Sequence, residues 1–186
     1  APVNEPIRSY APGTADRAAL KRAIADLKSN QVDIPMFIGG QEVRTGKTVH
    51  IHPPHEIKHD LGVYHQGDAT HVQMAIDAAL QAKTQWENTP WEERAAIFLK
   101  AAELLAGPYR YKMNAATMLG QSKNPFQAEI DAACELIDFW RFNAAFMQQV
   151  YTDQPESAPG TWNRMEHRAL EGFVFALTPF NFTAIA

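Results

Sequence analysis

Cysteine is nearly absent from this sequence, which has only Cys134 among 186 residues. One cysteine cannot form an intrachain disulfide, so the sequence excludes a disulfide-stabilised secreted fold and favours a reducing compartment. No apolar run approaches the roughly 20 residues that a membrane-spanning helix needs. The opening stretch, APVNEPIRSYAPG, has no charged region followed by an apolar one, so it does not predict a secretory signal.

An excess of basic charge is also lacking. The chain has 17 Lys and Arg against 21 Asp and Glu, which gives a formal net charge of −4. Nucleic acids and anionic membranes are bound by basic patches, so neither is predicted as a partner. The phosphate-binding pattern GxGxxG is missing as well. What is present is a chain that is 46% hydrophobic, enough for the core of one domain or of part of a larger one.

Histidines cluster in one short region, which raises the question of a metal site. Four of them fall within a few residues of one another: His50, His52, His55 and His59. Two histidines at i and i+2 on a strand share a face that zinc could use. No cysteine lies nearby, however, and Pro53 and Pro54 indicate a polar loop. A solvated strand end is therefore favoured, and no metal site is predicted.

Hydrophobic spacing and turn residues predict the secondary structure. A helix is expected at Ala15–Ser29, with Thr14 or Asp16 as the N-cap. A β-hairpin is expected over 36–52, turning at Gly39 and Gly40. Residues 68–151 follow a helical pattern, with Thr89 predicted as an N-cap and Asn124 opening the last long helix.

Strand character returns near the end of the chain, in TWNRMEHRALEG and in GFVFALTPF. The second stretch is almost wholly apolar, which is typical of a strand buried on both faces of a parallel sheet. The predicted class is therefore α/β. One parallel strand at the end of the sequence implies a truncated chain, with most of the sheet further along.

Three acidic residues of the last long helix form a stripe at i, i+4 and i+7: Asp131, Glu135 and Asp138. Such a stripe is either a solvated face or, because Phe139 and Phe142 flank Glu135, one wall of a cleft that takes a cationic group. Cys134 has no base beside it in this helix. It is predicted to be a buried, inert thiol rather than a nucleophile.

One neutral amide, Asn181, stands between Phe180 and Phe182 at the end of the apolar stretch. Ligands of open α/β sheets bind at the carboxyl ends of strands. The side chain of Asn181 therefore either braces a loop or donates to an oxygen that becomes negative during a reaction. The second role is worth roughly 2.7–4 kcal/mol where it has been measured.

The segment EGFVFALTPFNFTAIA closely resembles the start of the nucleotide-binding sheet in the aldehyde dehydrogenase family. Its Phe-Asn-Phe-Thr version is similar to that of the pyrroline-5-carboxylate dehydrogenases within this family. Three further segments share the narrower resemblance: NEPIRSYAPGTADRAALKRAIADLK, FLKAAELLAGPYR and GQSKNPFQAEIDAACELIDFWRFNA.

The resemblance implies NAD-dependent oxidation of L-glutamate γ-semialdehyde to L-glutamate, a step of proline degradation. Asn181 matches the amide that stabilises the oxyanion formed when a cysteine thiolate attacks the aldehyde. Thr178, with Pro179 and Phe180, matches the cofactor-contacting position. Glu135 and Phe182 match substrate-contacting positions. The nucleophilic cysteine and the general base of this family match nothing here, and they are expected further along the chain.

The resemblance also implies an organisation of the chain. It predicts an arm and helix over 1–33, a hairpin near oligomer contacts over 34–60, and the beginning of a Rossmann-like NAD-binding domain over 61–186. A strand at about 161–170 is expected to contribute to a homodimer or larger homo-oligomer. The expected location is a bacterial cytoplasm or, after processing, the mitochondrial matrix. The alternatives are an aldehyde dehydrogenase with another substrate and an inactive subunit for binding or assembly.

Overall fold

The computed structural model describes residues 1–185. Within them, the helices are α1 Ala15–Ser29, α2 Ala69–Asn88, α3 Trp91–Ala106, α4 Arg110–Gln121, α5 Pro125–Ala128 and α6 Glu135–Thr152. A π-helical segment, Glu129–Cys134, joins α5 to α6 without a break. The strands are β1 Val32–Ile34, β2 Met36–Ile38, β3 Gln41–Val43, β4 Thr48–Ile51 and β5 Gly62–His65.

The first helix has the bounds that its sequence predicts. Thr14 is the N-cap, and its hydroxyl oxygen accepts a hydrogen bond from the backbone N–H of Arg17 at 3.2 Å. Leu20 is buried and packs with Tyr10 and Ala115 in one of two hydrophobic clusters. A local cap and one apolar face are therefore sufficient to define this helix.

The hairpin is shorter than predicted. β2 and β3 pair antiparallel around Gly39 and Gly40, which have φ values of +58° and +77°. β4 was expected to extend this hairpin, but it pairs antiparallel with β5. β5 in turn pairs parallel with β1, which gives a second sheet in the order β1-β5-β4. Pairing between strands separated in sequence leaves no local signal, and neither β1 nor β5 was predicted.

The helical region over 68–151 is confirmed, with one correction at a cap. Thr89 does not cap α3, because Pro90 occupies the N-cap position and the Thr89 hydroxyl donates instead to the carbonyl oxygen of Gln85 at 2.9 Å. The prediction at Asn124 is confirmed. Its side-chain oxygen accepts from the backbone N–H of Gln127, and the Gln127 side chain accepts from the backbone N–H of Asn124.

The two strands expected at 161–172 and 172–180 are not formed within the described residues, where neither helix nor strand follows α6. Leu177 and Phe180 have exposed fractions of 86% and 96%, although a strand buried on both faces was predicted. A strand is held by hydrogen bonds to a neighbouring strand, and no described strand lies beside these residues. An apolar pattern therefore predicts the preference for burial, whereas pairing decides whether a strand forms.

A second hydrophobic cluster brings the C-terminal residues onto the π-helical segment. Its buried members are Ala102, Leu105, Ala133, Leu136 and Ile137. The partly buried side chains of Ala184 and Ile185 pack against this cluster. Residues that are about 50 positions apart in sequence thus lie together, and this contact places residues 184–185 beside the π-helical segment and the start of α6.

Candidate functional site

Four carboxylates lie on the ten residues that include the π-helical segment and the start of α6: Glu129, Asp131, Glu135 and Asp138. The packing of Ala184 and Ile185 brings the loop with Asn181 and Phe182 to the same region. We define the candidate site as Lys123, Asp131, Glu135, Asn181 and Phe182. The partners of each carboxylate decide which of them is available to a ligand.

Glu129 is fully buried and is fully engaged by protein groups. It forms an ion pair with Arg110, which is also fully buried. It accepts further hydrogen bonds from the Tyr10 hydroxyl at 2.6 Å, the Asn114 amide at 2.7 Å and the backbone N–H of Arg8 at 2.9 Å. Burial raises the pKa of Glu129. The hydrogen bonds from Arg110 and Tyr10 lower the pKa by a larger amount, so the net pKa lies below its usual range. Glu129 therefore remains charged and has no lone pair to spare.

Asp138 is engaged by the N-terminal arm, which we define as residues 1–10. The Asn4 amide donates to its Oδ2 at 2.8 Å, and the backbone N–H of Glu5 donates to its Oδ1 at 2.7 Å. The Glu5 carboxylate itself bridges Arg110 and Arg141. The arm thus fastens α4 to α6, and Asp138 has a structural role. Its place in the predicted acidic stripe had given no indication of this.

Cys134 is buried at the end of the π-helical segment, as predicted. Its Sγ atom lies 3.4 Å from Nη2 of Arg110 and 3.7 Å from Oε1 of Glu129. Burial, and then the negative charge of Glu129, raise the pKa of this thiol to about 12. The thiolate is therefore almost unpopulated at neutral pH, and Cys134 is not suited to be a nucleophile.

Asp131 is paired with Lys123, a residue that the sequence analysis missed. The Lys123 ammonium lies 2.7 Å from Oδ2 of Asp131 and 2.8 Å from the carbonyl oxygen of Asn181. It also lies 4.4 Å from the centre of the Phe182 ring. Lys123 stands just before the N-cap of α5, and none of its three contacts follows a helical spacing. No pattern in the sequence could have found it.

Glu135 differs from the other three carboxylates. It is half-buried at the start of α6, and it has no hydrogen bond or ion pair with any residue from 1 to 185. Phe139, one turn further along α6, is exposed. The two interpretations of the acidic stripe, a solvated face and the wall of a cleft, both stay open at Glu135. A half-buried carboxylate without a cation can accept one from a ligand.

The side chain of Asn181 does not brace its loop. It is exposed, and within the described part of the chain its amide group makes no hydrogen bond, since only its backbone carbonyl is bound, by Lys123. Phe182 is half-buried beneath the Lys123 ammonium. The structure thus brings Asn181 and Phe182 together with the helix of Glu135, and it leaves the Asn181 amide available to donate.

The predicted cofactor-contacting residues, Thr178, Pro179 and Phe180, are exposed at the start of the same loop. The carbonyl oxygen of Phe180 accepts a hydrogen bond from Nε2 of Gln121 at 3.3 Å. The side chains of these three residues form no hydrogen bond with residues 1–185. They lie next to the candidate site in sequence, and nothing in the structure brings them closer to Glu135.

The clustered histidines bind protein groups individually. The Nδ1 atoms of His50, His52 and His55 lie 2.8 Å from Asp60, from the carbonyl oxygen of His59 and from Ser122, respectively. In the described residues, no three side chains of His, Cys, Asp or Glu converge as metal ligands would. Over the same residues, no helix combines the length and the apolar character that crossing a membrane requires.

Comparison with known proteins gives the family. Residues 42–186 match the family model described as Aldehyde dehydrogenase family. The chain belongs to the aldehyde dehydrogenase family. This match confirms the resemblance carried by the 171–186 segment and, with it, the α/β aldehyde dehydrogenase fold.

Relatives of this aldehyde dehydrogenase chain include a delta-1-pyrroline-5-carboxylate dehydrogenase from Agaricus bisporus. It is 54% identical over 184 residues, which are 98% of this chain and 34% of that protein. Among solved structures, the delta-pyrroline-5-carboxylate dehydrogenase from Mycobacterium tuberculosis bound with NAD superimposes with a TM-score of 0.96 and 49% identity. This match covers 100% of the present chain and 35% of the other. The chain thus spans about a third of the length of the curated relatives it matches.

Proposed function

We propose that this chain is part of an NAD-dependent dehydrogenase that oxidises L-glutamate γ-semialdehyde, the open-chain form of pyrroline-5-carboxylate, to L-glutamate in proline degradation. The observation that carries the proposal is Glu135, the one carboxylate of the acidic stripe without a protein partner within residues 1–185. The names of the relatives from Agaricus bisporus and Mycobacterium tuberculosis support the same reaction.

Glu135 would bind the substrate's α-ammonium group. The substrate carries both an ammonium and an aldehyde, separated by a short aliphatic chain. A half-buried carboxylate that meets this ammonium gains a charge-assisted hydrogen bond in a partly desolvated place. The Phe182 ring, in the same site, offers an apolar face to the aliphatic chain. An aldehyde without an amino group would contact the Phe182 ring but would not bind Glu135.

Asn181 would donate its amide to the aldehyde oxygen as negative charge develops on it. The amide is exposed and is not used by the loop, so donation requires no internal hydrogen bond to break. A neutral donor suits an oxyanion that forms and disappears, since a fixed cation would also bind the product carboxylate tightly. This assignment explains why an uncharged amide stands between two phenylalanines.

NAD would accept the hydride, and we assign Thr178, Pro179 and Phe180 to the cofactor side of the site. Their exposed side chains, which have no hydrogen bond within residues 1–185, fit a surface that a bound ligand covers. The attacking thiolate must come from another part of the protein, because the only cysteine of these 186 residues, Cys134, is buried with a raised pKa. We assign the general base to that other part of the protein as well.

Kinetics of the full-length protein with two aldehydes test the role of Glu135. In E135Q, we expect the KM for glutamate γ-semialdehyde to rise about tenfold or more, the size of one lost charge-assisted hydrogen bond. The KM for a simple aliphatic aldehyde should change by less than about twofold, since it has no ammonium. Glu93, an exposed residue of α3, provides the control variant E93Q. Equal changes for both aldehydes would contradict the substrate assignment.

We further propose a homo-oligomer that uses the 34–60 region and the strand expected at about 161–170. Phe37 in β2 and Trp162 and Leu170 in the second region are exposed, large and apolar, which supports burial by another surface. Sedimentation equilibrium of the full-length protein would give its assembly, and a monomer would contradict this proposal. For the compartment, we retain a bacterial cytoplasm, with the mitochondrial matrix as the alternative, because a relative from Dictyostelium discoideum is named as mitochondrial.

A further inference from the structure

Lys123 contacts every part of the candidate site except Glu135 itself. Its ammonium binds Asp131 and the carbonyl oxygen of Asn181 and lies over the ring of Phe182. Its side chain has an exposed fraction of 17%, so these contacts are partly shielded from solvent. We propose that Lys123 is the positioning residue of this site, holding the Asn181–Phe182 peptide so that the Asn181 amide can reach the substrate oxygen. The inference rests on the proposed function.

The atom that Lys123 holds explains why a single contact has this effect. The carbonyl oxygen of Asn181 belongs to the planar peptide unit that joins the Cα atoms of Asn181 and Phe182. Holding that oxygen restrains the plane and the two Cα atoms within it, from which both side chains start. One hydrogen bond to the backbone therefore restrains the position of the proposed oxyanion donor and of the proposed apolar contact together.

No other polar contact among the described residues anchors this peptide. Next to it, the carbonyl oxygen of Phe180 accepts only a 3.3 Å hydrogen bond from the neutral amide of Gln121. On the other side, Ala184 and Ile185 are held by apolar packing, which has no direction. The charge-assisted bond from Lys123 is shorter, at 2.8 Å, and is directional. It is thus the contact that fixes the orientation of the loop.

The ion pair with Asp131 has a second consequence for the site. Asp131 lies four residues before Glu135, on nearly the same face of the helical segment. An unpaired carboxylate there would compete with Glu135 for the substrate's ammonium. Because Lys123 neutralises Asp131, a cation that enters the site meets one free carboxylate rather than two.

Steady-state kinetics of the full-length protein test this role. K123M retains most of the aliphatic stem but loses the ammonium, and K123Q retains a hydrogen-bond donor without the charge. In both, we expect kcat to fall about tenfold or more for glutamate γ-semialdehyde and for a simple aliphatic aldehyde alike, since oxyanion stabilisation serves both. The KM for NAD should stay within about twofold. K123R should recover part of kcat, whereas K112M, at an exposed lysine of α4, should match the wild type.

A double-mutant cycle with N181A decides whether Lys123 acts through Asn181. If it does, K123M should lower kcat far less in the N181A background than in the wild type, because the donor that it positions is gone. Equal effects in both backgrounds, or an active wild type that K123M leaves unchanged, would overturn the inference and leave the proposed function intact. A wild type without semialdehyde turnover would contradict the proposed function itself, and the inference with it.

Discussion

The side chains of Arg110 and Glu129 form an ion pair from which solvent is fully excluded. Removing two charges from water is costly, and the cost is recovered only when every donor and acceptor finds a partner. Here the guanidinium also binds Glu5 and the carbonyl oxygen of Pro6, and the carboxylate also binds Tyr10 and Asn114. The pair therefore joins the arm, α4 and the π-helical segment into one polar network.

Replacing Glu129 by glutamine should strongly destabilise the protein. E129Q keeps the shape of the side chain but breaks the fully buried ion pair and leaves Glu5 as the counter-charge of Arg110. Breaking a buried pair typically costs about 3–5 kcal/mol. Urea unfolding of the full-length protein would measure the change in free energy of unfolding. E103Q is the matched control, because Glu103 pairs with Lys100 on the surface, where such pairs contribute about 0–1 kcal/mol. Similar losses in both variants would contradict the role of burial.

The contribution of Glu129 should be lost in acid. Its pKa in the folded protein lies below its unfolded value, so its stabilisation is complete above the unfolded pKa and is lost as the pH falls through the folded pKa. The difference in free energy of unfolding between wild type and E129Q should be constant from about pH 6 to pH 8 and should shrink below about pH 4. Urea titrations at several pH values would measure this difference in free energy of unfolding. A difference that grows in acid would contradict a lowered pKa for Glu129.

Cys134 should resist thiol reagents in the folded protein. With a pKa of about 12, its thiolate fraction at pH 8 is on the order of one in ten thousand, and the thiol is also buried. We expect the peptide that carries Cys134 to stay unlabelled by a disulfide reagent until the protein is unfolded, as read by mass spectrometry. C134A should keep kcat within about twofold. Rapid labelling of the folded protein, or loss of turnover in C134A, would return this thiol to the list of nucleophile candidates.

Gly62 should not tolerate a side chain. Its φ is +133°, and a Cβ atom would lie 2.0 Å from the carbonyl oxygen of Val32, within the β1–β5 pair. Gly46 also has a positive φ, +73°, but a Cβ atom there would meet nothing within 4 Å. G62A should therefore cost at least about 2 kcal/mol more than G46A, as measured by urea unfolding. Equal losses of free energy of unfolding in G62A and G46A would indicate that β1 and β5 can separate to accommodate the added methyl group.

Local signals predicted the helices well. The cap at Thr14 and the apolar face around Leu20 define α1, and the cap at Asn124 begins the last helical region, as read from the sequence. The cap at Thr89 was wrong because its hydroxyl could equally bond back to the preceding helix. Which of the two local hydrogen bonds the Thr89 hydroxyl makes depends on where each helix ends, and the sequence alone does not determine this.

Distant contacts could not be predicted in the same way. Residues 172–180, GFVFALTPF, have the pattern of a buried strand. They stay unpaired within residues 1–185 because no second strand lies beside them there. Family resemblance singled out Glu135 and Asn181, and the structure gives neither side chain a hydrogen bond within residues 1–185. Lys123 and Arg110 act across turns and between helices, at spacings that no periodicity encodes.

The arm has a consequence for the order in which the protein can be built. Its partners Arg110, Asp138 and Arg141 lie more than 100 residues later in the chain. At the usual ribosomal rate of about 5–20 residues per second, the arm waits on the order of ten seconds before its last partner has been made. During synthesis, the arm is therefore made before the groups that hold it, and the contacts of Glu5 and Tyr10 are among the last to form in this region.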